Sequence, residues 1–393
     1  MTDVFCVALI FPRSSYRFRN YAMQYAKALL EMNKMVWIYS PDWILVNEFL
    51  LRNFPHKAGF FRCFPAEGNE NQGESLGIAS GSLHWYNLSR RLKQTEKMLE
   101  TKIDLVFFCP VDEWISPASG KTLMDNLFPF NWSGLFLNTA HLYSEKIKLN
   151  ANPSKGDPDY LFLSENCVGA AILDRFKSQE LKGRIYKKVL VMPDITDWTI
   201  NQEGSKLAGQ IKAMAGNRIV IGTILLENEE ASGFFEMAAN ASSEKYFFVC
   251  AGEMEAAARN KVSRSALQKL IIEKHENNFI SPMKLDDSQH LNSIIQSFDI
   301  CYLNESRNFL PPNLLTKAAY FHKPVIGHKN QLEGKLVEIF KTGLAVGPYL
   351  QDNLNALEVL SKQIPQNISG MENYAKLQDI DNLKESLEQL MWF

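Results

Sequence analysis

The chain has 393 residues, 46% of them apolar and 22% charged, with a net charge of −2. That length predicts about two or three domains with well-filled cores. The near-neutral balance excludes any overall electrostatic drive toward nucleic acid or an anionic membrane.

Residues 4–11 form a continuous apolar run, as expected of a parallel strand buried on both faces. The run ends at Pro12, Arg13, Ser14 and Ser15, and from Tyr21 apolar residues recur at helical spacing. Residues 35–39 make a second strand, completing a βαβ unit. Residues 104–109, 134–137, 160–163 and 189–192 read as further strands, with helices over 88–99 and 168–176. Residues 67–82, rich in Gly, Asn and Ser, read as a long loop. A second series starts at Arg218: strand RIVIGTI, helix GFFEMAANA, strand YFFVCAG and helix RSALQKLIIEKH. It continues with a short strand at 278–280, helix LNSIIQSF, a strand at 299–303, a helix from Pro312 and a strand at 324–326. The end of the chain, from Met371, is helical in pattern.

Two βα series joined near residues 194–217 predict an α/β protein of two doubly wound, Rossmann-like domains facing across a cleft. The expected boundaries are 1–200 and 201–372, with a terminal helix at 373–393 crossing back to the first domain. Asp3 and the lack of a basic leader argue against a signal peptide, and no stretch reaches the roughly 18 to 20 apolar residues of a membrane span. The cysteines sit mostly in apolar runs without a C-x-x-C pair, as reduced thiols do. Together these features predict a cytoplasmic protein.

Ligands of open parallel sheets bind beyond the carboxyl ends of the strands. That rule selects Arg17 and Arg19 after the first strand, Asp112 and Glu113 after the 104–109 strand, and His141 after the 134–137 strand. In the second series it selects Gly222 and Thr223, Gly252, Glu305, and the residues after Pro311-Pro312. Proline suits a first helical turn. The N–H groups of Asn313, Leu314 and Leu315 then lie at a positive helix end suited to a diphosphate.

The run from Pro312 through Asn313, Leu314, Leu315, Thr316, Lys317 and Ala318 to Lys323-Pro324-Val325-Ile326 resembles the donor-site signature of GT-B glycosyltransferases similar to glycosyltransferase family 4. VLVMPDITDW and PRSSYRFRNYAMQYAKALLEMNKMVWIYSP resemble that family's hinge entry and arginine-bearing first loop. The resemblance implies transfer of a sugar from a nucleoside-diphosphate sugar to a glycan or lipid-linked acceptor, with retention of anomeric configuration and no metal or other cofactor. It implies an acceptor-side first domain and a donor-nucleotide second domain. It places His141 and Glu305 near the reacting sugar and Arg17, Arg19 and Asp112 toward the acceptor. Gly222, Thr223, Gly252, Asn313, Leu314, Leu315 and Lys317 fall to the donor nucleotide.

The sequence departs from that pattern in two places. The family's Glu-x7-Glu pair falls on Phe309 and Lys317, and lysine has donors only, so Lys317 is expected to meet phosphate rather than ribose. Glu227, Glu229 and Glu230 stand where a basic residue would neutralise the leaving diphosphate. These departures favour a rival reading, a catalytically silent GT-B protein that binds glycans or partners an active transferase. A sugar-nucleotide epimerase would need a denser set of carboxylates and histidines. Asp157-Pro158-Asp159 is too weak a pattern for a metal site. Residues 50–64, which mix Arg52, Lys57 and Arg62 with phenylalanines, are a candidate peripheral membrane contact.

Overall fold

The computed structural model describes residues 4–66, 78–114, 120–143, 152–200, 202–225, 231–252, 276–282, 288–304, 313–329, 331–363 and 368–392, with isolated positions between 264 and 270. The chain divides into two compact units: Met1–Pro193 with Asp379–Phe393, and Asp194–Gln378.

Unit 1 is built on a seven-stranded parallel sheet of order β3-β2-β1-β4-β5-β6-β7. Its strands are β1 (Cys6–Ile10), β2 (Met35–Ser40), β3 (Phe61–Pro65), β4 (Leu105–Phe108), β5 (Trp132–Phe136), β6 (Gly169–Ile172) and β7 (Lys188–Val191). All five residues of β1 are buried, as its unbroken apolar run requires. Helices α1 (Tyr16–Glu31), α2 (Trp43–Asn53), α3 (Ile78–Leu99), α4 (Lys121–Leu127) and α5 (Ser178–Ile185) connect the strands. Helix α1 starts where Ser15 accepts a hydrogen bond from the Phe18 N–H at 3.2 Å, a side-chain N-cap. Trp37, Trp85, Phe108, Phe128 and Trp132 dominate the core.

Two expectations for this unit are corrected. Residues 168–176, expected as a helix, contain strand β6, because Gly-Ala-Ala-Ile is buried between β5 and β7. Residues 160–163, expected as a strand, form a single 3-10 turn, Tyr160–Leu163. A short apolar run does not reveal its period, and tertiary pairing decides it.

Unit 2 holds a six-stranded parallel sheet of order β10-β9-β8-β11-β12-β13. The strands are β8 (Ile219–Leu225), β9 (Tyr246–Gly252), β10 (Asn278–Pro282), β11 (Ile300–Tyr302), β12 (Val325–His328) and β13 (Gly343–Val346). Its helices are α6 (Gln202–Ala215), α7 (Ser232–Asn240), α8 (Ser288–Ser297), α9 (Asn313–Tyr320), α10 (Leu332–Phe340), α11 (Leu350–Lys362) and α12 (Ile368–Leu377). The last helix, α13 (Ile380–Met391), packs on α1 and β7 of unit 1 through Leu383, Leu387 and Leu390. Lys188 anchors its end by donating to the carbonyls of Gln389 and Trp392, both at 2.6 Å.

In both sheets the strand order reverses once, between β1 and β4 in unit 1 and between β8 and β11 in unit 2. Those two reversals are the switch points at which doubly wound sheets open to ligands.

Candidate functional site

In unit 1 the switch point is flanked by the start of α1 and by the residues after β4. Arg13 Nε meets Glu113 Oε1 at 2.6 Å, and its guanidinium lies 5.0 Å from the Phe18 ring centroid. Arg17 and Arg19, both half-buried, occupy the first turn of α1. Cations at that end oppose the helix dipole. Burial pushes the Cys109 thiol well up, Asp112 and Glu113 push it further, and Arg17 opposes them. Arg17, Asp112 and Glu113 thus all lie within electrostatic reach of Cys109, just past the end of β4.

The loop after β5 is held by three carboxylates. Asp112 accepts from the N–H groups of Leu137 and Asn138, both at 2.7 Å. Burial raises the pKa of its carboxyl, and those two backbone donors act against the rise. Asp174, buried, accepts from Thr139 Oγ1 at 3.1 Å and from the Tyr143 hydroxyl at 2.8 Å. Asp159, fully buried, lies 3.6 Å from His141 Nε2. Arg184 holds Asp159 in a bidentate pair, Nε to Oδ2 at 2.6 Å and Nη2 to Oδ1 at 3.0 Å, and reaches Asp157 at 3.3 Å. Burial alone would raise the Asp159 pKa, but its contacts with His141 and Arg184 outweigh burial and hold it down at about 2.

His141 thus stands at the end of a braced turn, against the Phe136 ring. The structure gives Asp112 a bracing duty beyond the one expected, since both of its oxygens already serve the backbone of that turn. Asp157 and Asp159, seen in the sequence only as a weak metal pattern, are engaged by Arg184. Among the described residues no group of three or more His, Cys, Asp and Glu side chains gathers as a metal site.

In unit 2 the ends of β8 and β11 are stapled across the switch point. Thr223 Oγ1 donates toward the Tyr302 carbonyl and Asn304 Oδ1, each at 2.9 Å, and Asn304 Nδ2 donates to the Ile224 carbonyl at 2.8 Å. Thr223 is fully buried and serves the sheet, which corrects its expected role at the nucleotide. Gly222 is likewise a packing glycine, because a Cβ there would collide with the Phe298 ring. Gly252 has φ of +120°, and a side chain would strike the Leu225 carbonyl, so its own neighbouring strand uses the space.

Helix α9 begins next to this switch point and is buried from Asn313 through Ala319. Asn313 Oδ1 accepts from Thr196 Oγ1 at 3.1 Å, while Asn313 Nδ2 and Thr316 Oγ1 are buried with no hydrogen-bond partner among the described residues. Leu314 and Leu315 are buried, and their N–H groups belong to the first turn, which has no acceptor inside the helix.

Lys317 does not turn toward a phosphate at the surface, contrary to expectation. It is buried, and its Nζ donates to the Asp197 carbonyl at 2.5 Å and to Asn292 Oδ1 at 2.6 Å. Asn292 Nδ2 in turn donates to the carbonyls of Asp197 and Thr199. Burial lowers the Lys317 pKa to about 7, with Asp197 and Asp194 acting in the other direction. This network fixes residues 197–199 to unit 2, where Trp198 stacks on Tyr320 at 4.4 Å. Glu305, Phe309, Pro311, Pro312, Glu227, Glu229 and Glu230 lie outside the described residues.

Two parallel, Rossmann-like sheets of seven and six strands define the fold class of the GT-B glycosyltransferases. No protein-family model matches the chain, and no curated protein matches it in sequence. Solved structures do match. A glycosyltransferase from Rickettsia africae superposes with a TM-score of 0.60 at 13% identity, covering 99% of this chain and 96% of that one. Anabaena HepE in complex with UDP and glucose gives 0.62 at 10% identity, covering 98% of each chain. Sucrose-phosphate synthase from Thermosynechococcus elongatus gives 0.63 at 11%, also covering 98% of each. At such identities the likeness is one of fold, and function has to be argued from the sites.

Proposed function

We propose that this protein is a glycosyltransferase that takes its sugar from a nucleoside-diphosphate donor. The observation that carries the reading is the start of α9. A helix N-terminus at a switch point presents two buried polar side chains, Asn313 and Thr316, with hydrogen-bonding atoms left unmatched among the described residues. Buried polar atoms ordinarily find partners, so an unmatched pair at a positive helix end suits an anionic ligand. Structural neighbours crystallised with UDP and UDP-glucose support a nucleotide donor.

In this reading unit 2 carries the donor, with diphosphate at the N–H groups of Asn313, Leu314 and Leu315. Unit 1 carries the groups for sugar and acceptor: His141, Arg17 and Arg19. The protein's chemical task is to position the reactants and stabilise charge on the leaving diphosphate. Glu305 would stand near the sugar, and the resemblance to glycosyltransferase family 4 would make the transfer retaining. The acceptor would be a glycan or a lipid-linked sugar. Helix α2 supports a peripheral membrane contact, since it exposes Ile44, Leu45 and Leu51 beside Arg52. No described helix is long and apolar enough to cross a membrane. Absence of co-sedimentation with anionic vesicles would remove the membrane contact from the reading.

The buried state of Lys317 favours a second reading, a silent GT-B protein that binds glycans or partners an active transferase. A lysine engaged by Asp197 and Asn292 leaves no carboxylate to grip a ribose at that position. Calorimetric titration with UDP, GDP, ADP and dTDP, without metal, separates the two. Selective binding of one nucleotide is expected for the transferase. No binding of any at millimolar concentration would establish the silent reading.

A further inference from the structure

His141 differs from an ordinary buried histidine. His328 in unit 2 shows the ordinary case, with Nε2 2.9 Å from the Leu303 carbonyl. The His141 side chain is only 8% exposed, yet neither ring nitrogen has a hydrogen-bond partner among the described residues. Nε2 faces Asp159 Oδ2 at 3.6 Å, too long for a hydrogen bond, and Nδ1 faces no partner among the described residues. Asp159 cannot swing away, because Arg184 grips both of its oxygens. The turn carrying His141 cannot drift either, because Asp112 holds its start and Asp174 holds Thr139 and Tyr143 around it.

We propose that Asp159, backed by Arg184, is a positioning residue that keeps the His141 ring proton on Nε2 and leaves Nδ1 as an acceptor for a ligand hydroxyl. The inference rests on the reading that His141 meets the sugar, and it narrows that reading. A negative charge fixed 3.6 Å from one ring nitrogen favours the proton on that nitrogen over the more distant one. A fixed carboxylate opposite Nε2 therefore assigns the proton there, and Nδ1 of the neutral ring can only accept. An accepting nitrogen suits a sugar hydroxyl and repels a phosphate oxygen, which is itself an acceptor.

The test is nitrogen NMR on protein labelled with [15N]histidine, recorded near pH 8.5, about two units above the ordinary imidazole pKa. His141 is assigned by the signals missing in His141→Gln. The expected wild-type spectrum has Nε2 protonated and Nδ1 bare. In Asp159→Asn the negative charge that faces Nε2 is removed, so the exclusive Nε2–H form should be lost and signal from the Nδ1–H tautomer should appear. A wild-type ring with bare Nε2 overturns the proposal without any variant, which covers the case in which Asp159→Asn does not fold. An unchanged ring in folded Asp159→Asn overturns it as well. Because no nucleotide is present, the expected spectra combined with no nucleotide binding would leave this assignment standing while the transferase reading fell.

Discussion

The turn after β5 in unit 1 and the switch point of unit 2 handle their polar groups in opposite ways. In unit 1 three carboxylates converge on one turn, and every one of them acts on the backbone or side chains between Leu137 and Tyr143. In unit 2 the polar side chains bind the scaffold to itself. Thr223 and Asn304 join two strands, and Lys317 and Asn292 hold residues 197–199. Among the unmatched buried groups of the described residues are the ring of His141 in unit 1 and Asn313 Nδ2 and Thr316 Oγ1 in unit 2. A candidate ligand group is better recognised by what the fold leaves unmatched than by residue type. Lys317 was expected to meet phosphate, and its ammonium is instead used by the fold.

The sharpest way to break this contrast is to remove Arg184. Arg184→Met leaves Asp159 buried without its cation and is expected to cost roughly 3–5 kcal/mol in denaturant unfolding of unit 1. A loss below about 1 kcal/mol would mean that the pair behaves like a surface bridge. The depressed Asp159 pKa also stabilises the fold above about pH 4, and this contribution is lost as pH falls toward about 2. The variant should lack that acid-dependent component.

Lys317 gives the opposite sign. Its pKa falls from the ordinary lysine value to about 7 in the fold, so between pH 7 and about 10 the unfolded chain binds more protons. Stability of unit 2 should therefore rise with pH through that range, by up to about 1.4 kcal/mol per pH unit. Lys317→Met should flatten the profile. A wild type already flat from pH 7 to 10 would show that the ammonium is solvated. Lys317→Glu would put a carboxylate against the Asp197 carbonyl and Asn292 Oδ1, so it tests the fold and not repulsion of a nucleotide.

The smallest effect is expected at Gly222. Its β-carbon would overlap Phe298, and Gly222→Ala should cost about 1–3 kcal/mol while leaving nucleotide binding unchanged in the folded fraction. Lost binding with unchanged stability would return Gly222 to the ligand site.

The βα alternation was legible because parallel strands buried on both faces are written as unbroken apolar runs, as in β1 and β9. It failed at β6, where four small or aliphatic residues carry no period, and at residues 160–163, where an apolar quartet closes a turn. The start of α9 was readable from the paired prolines before it. The buried state of the whole helix was not, since lysine is usually exposed and only packing on several sides reveals otherwise. Asp159 and Asp174 were missed as braces because their partners stand 25 and 35 residues away, at separations no local pattern marks. The Arg184 pairing had one trace in the sequence, two aspartates in a loop, which fits too many arrangements to single one out.

Helix α13 belongs to unit 1 but is encoded after the whole of unit 2. During synthesis, the α1 and β7 surface that receives Leu383, Leu387 and Leu390 waits uncovered while some 185 residues of another unit pass the ribosome. Unit 1 is thus the first to begin and the last to be completed. A ribosome that stalls near residue 378 releases a chain in which unit 2 has its full sequence while unit 1 lacks the helix that covers α1 and β7. Chaperone capture of stalled chains should therefore fall on the N-terminal unit, the one that had the longest time to fold.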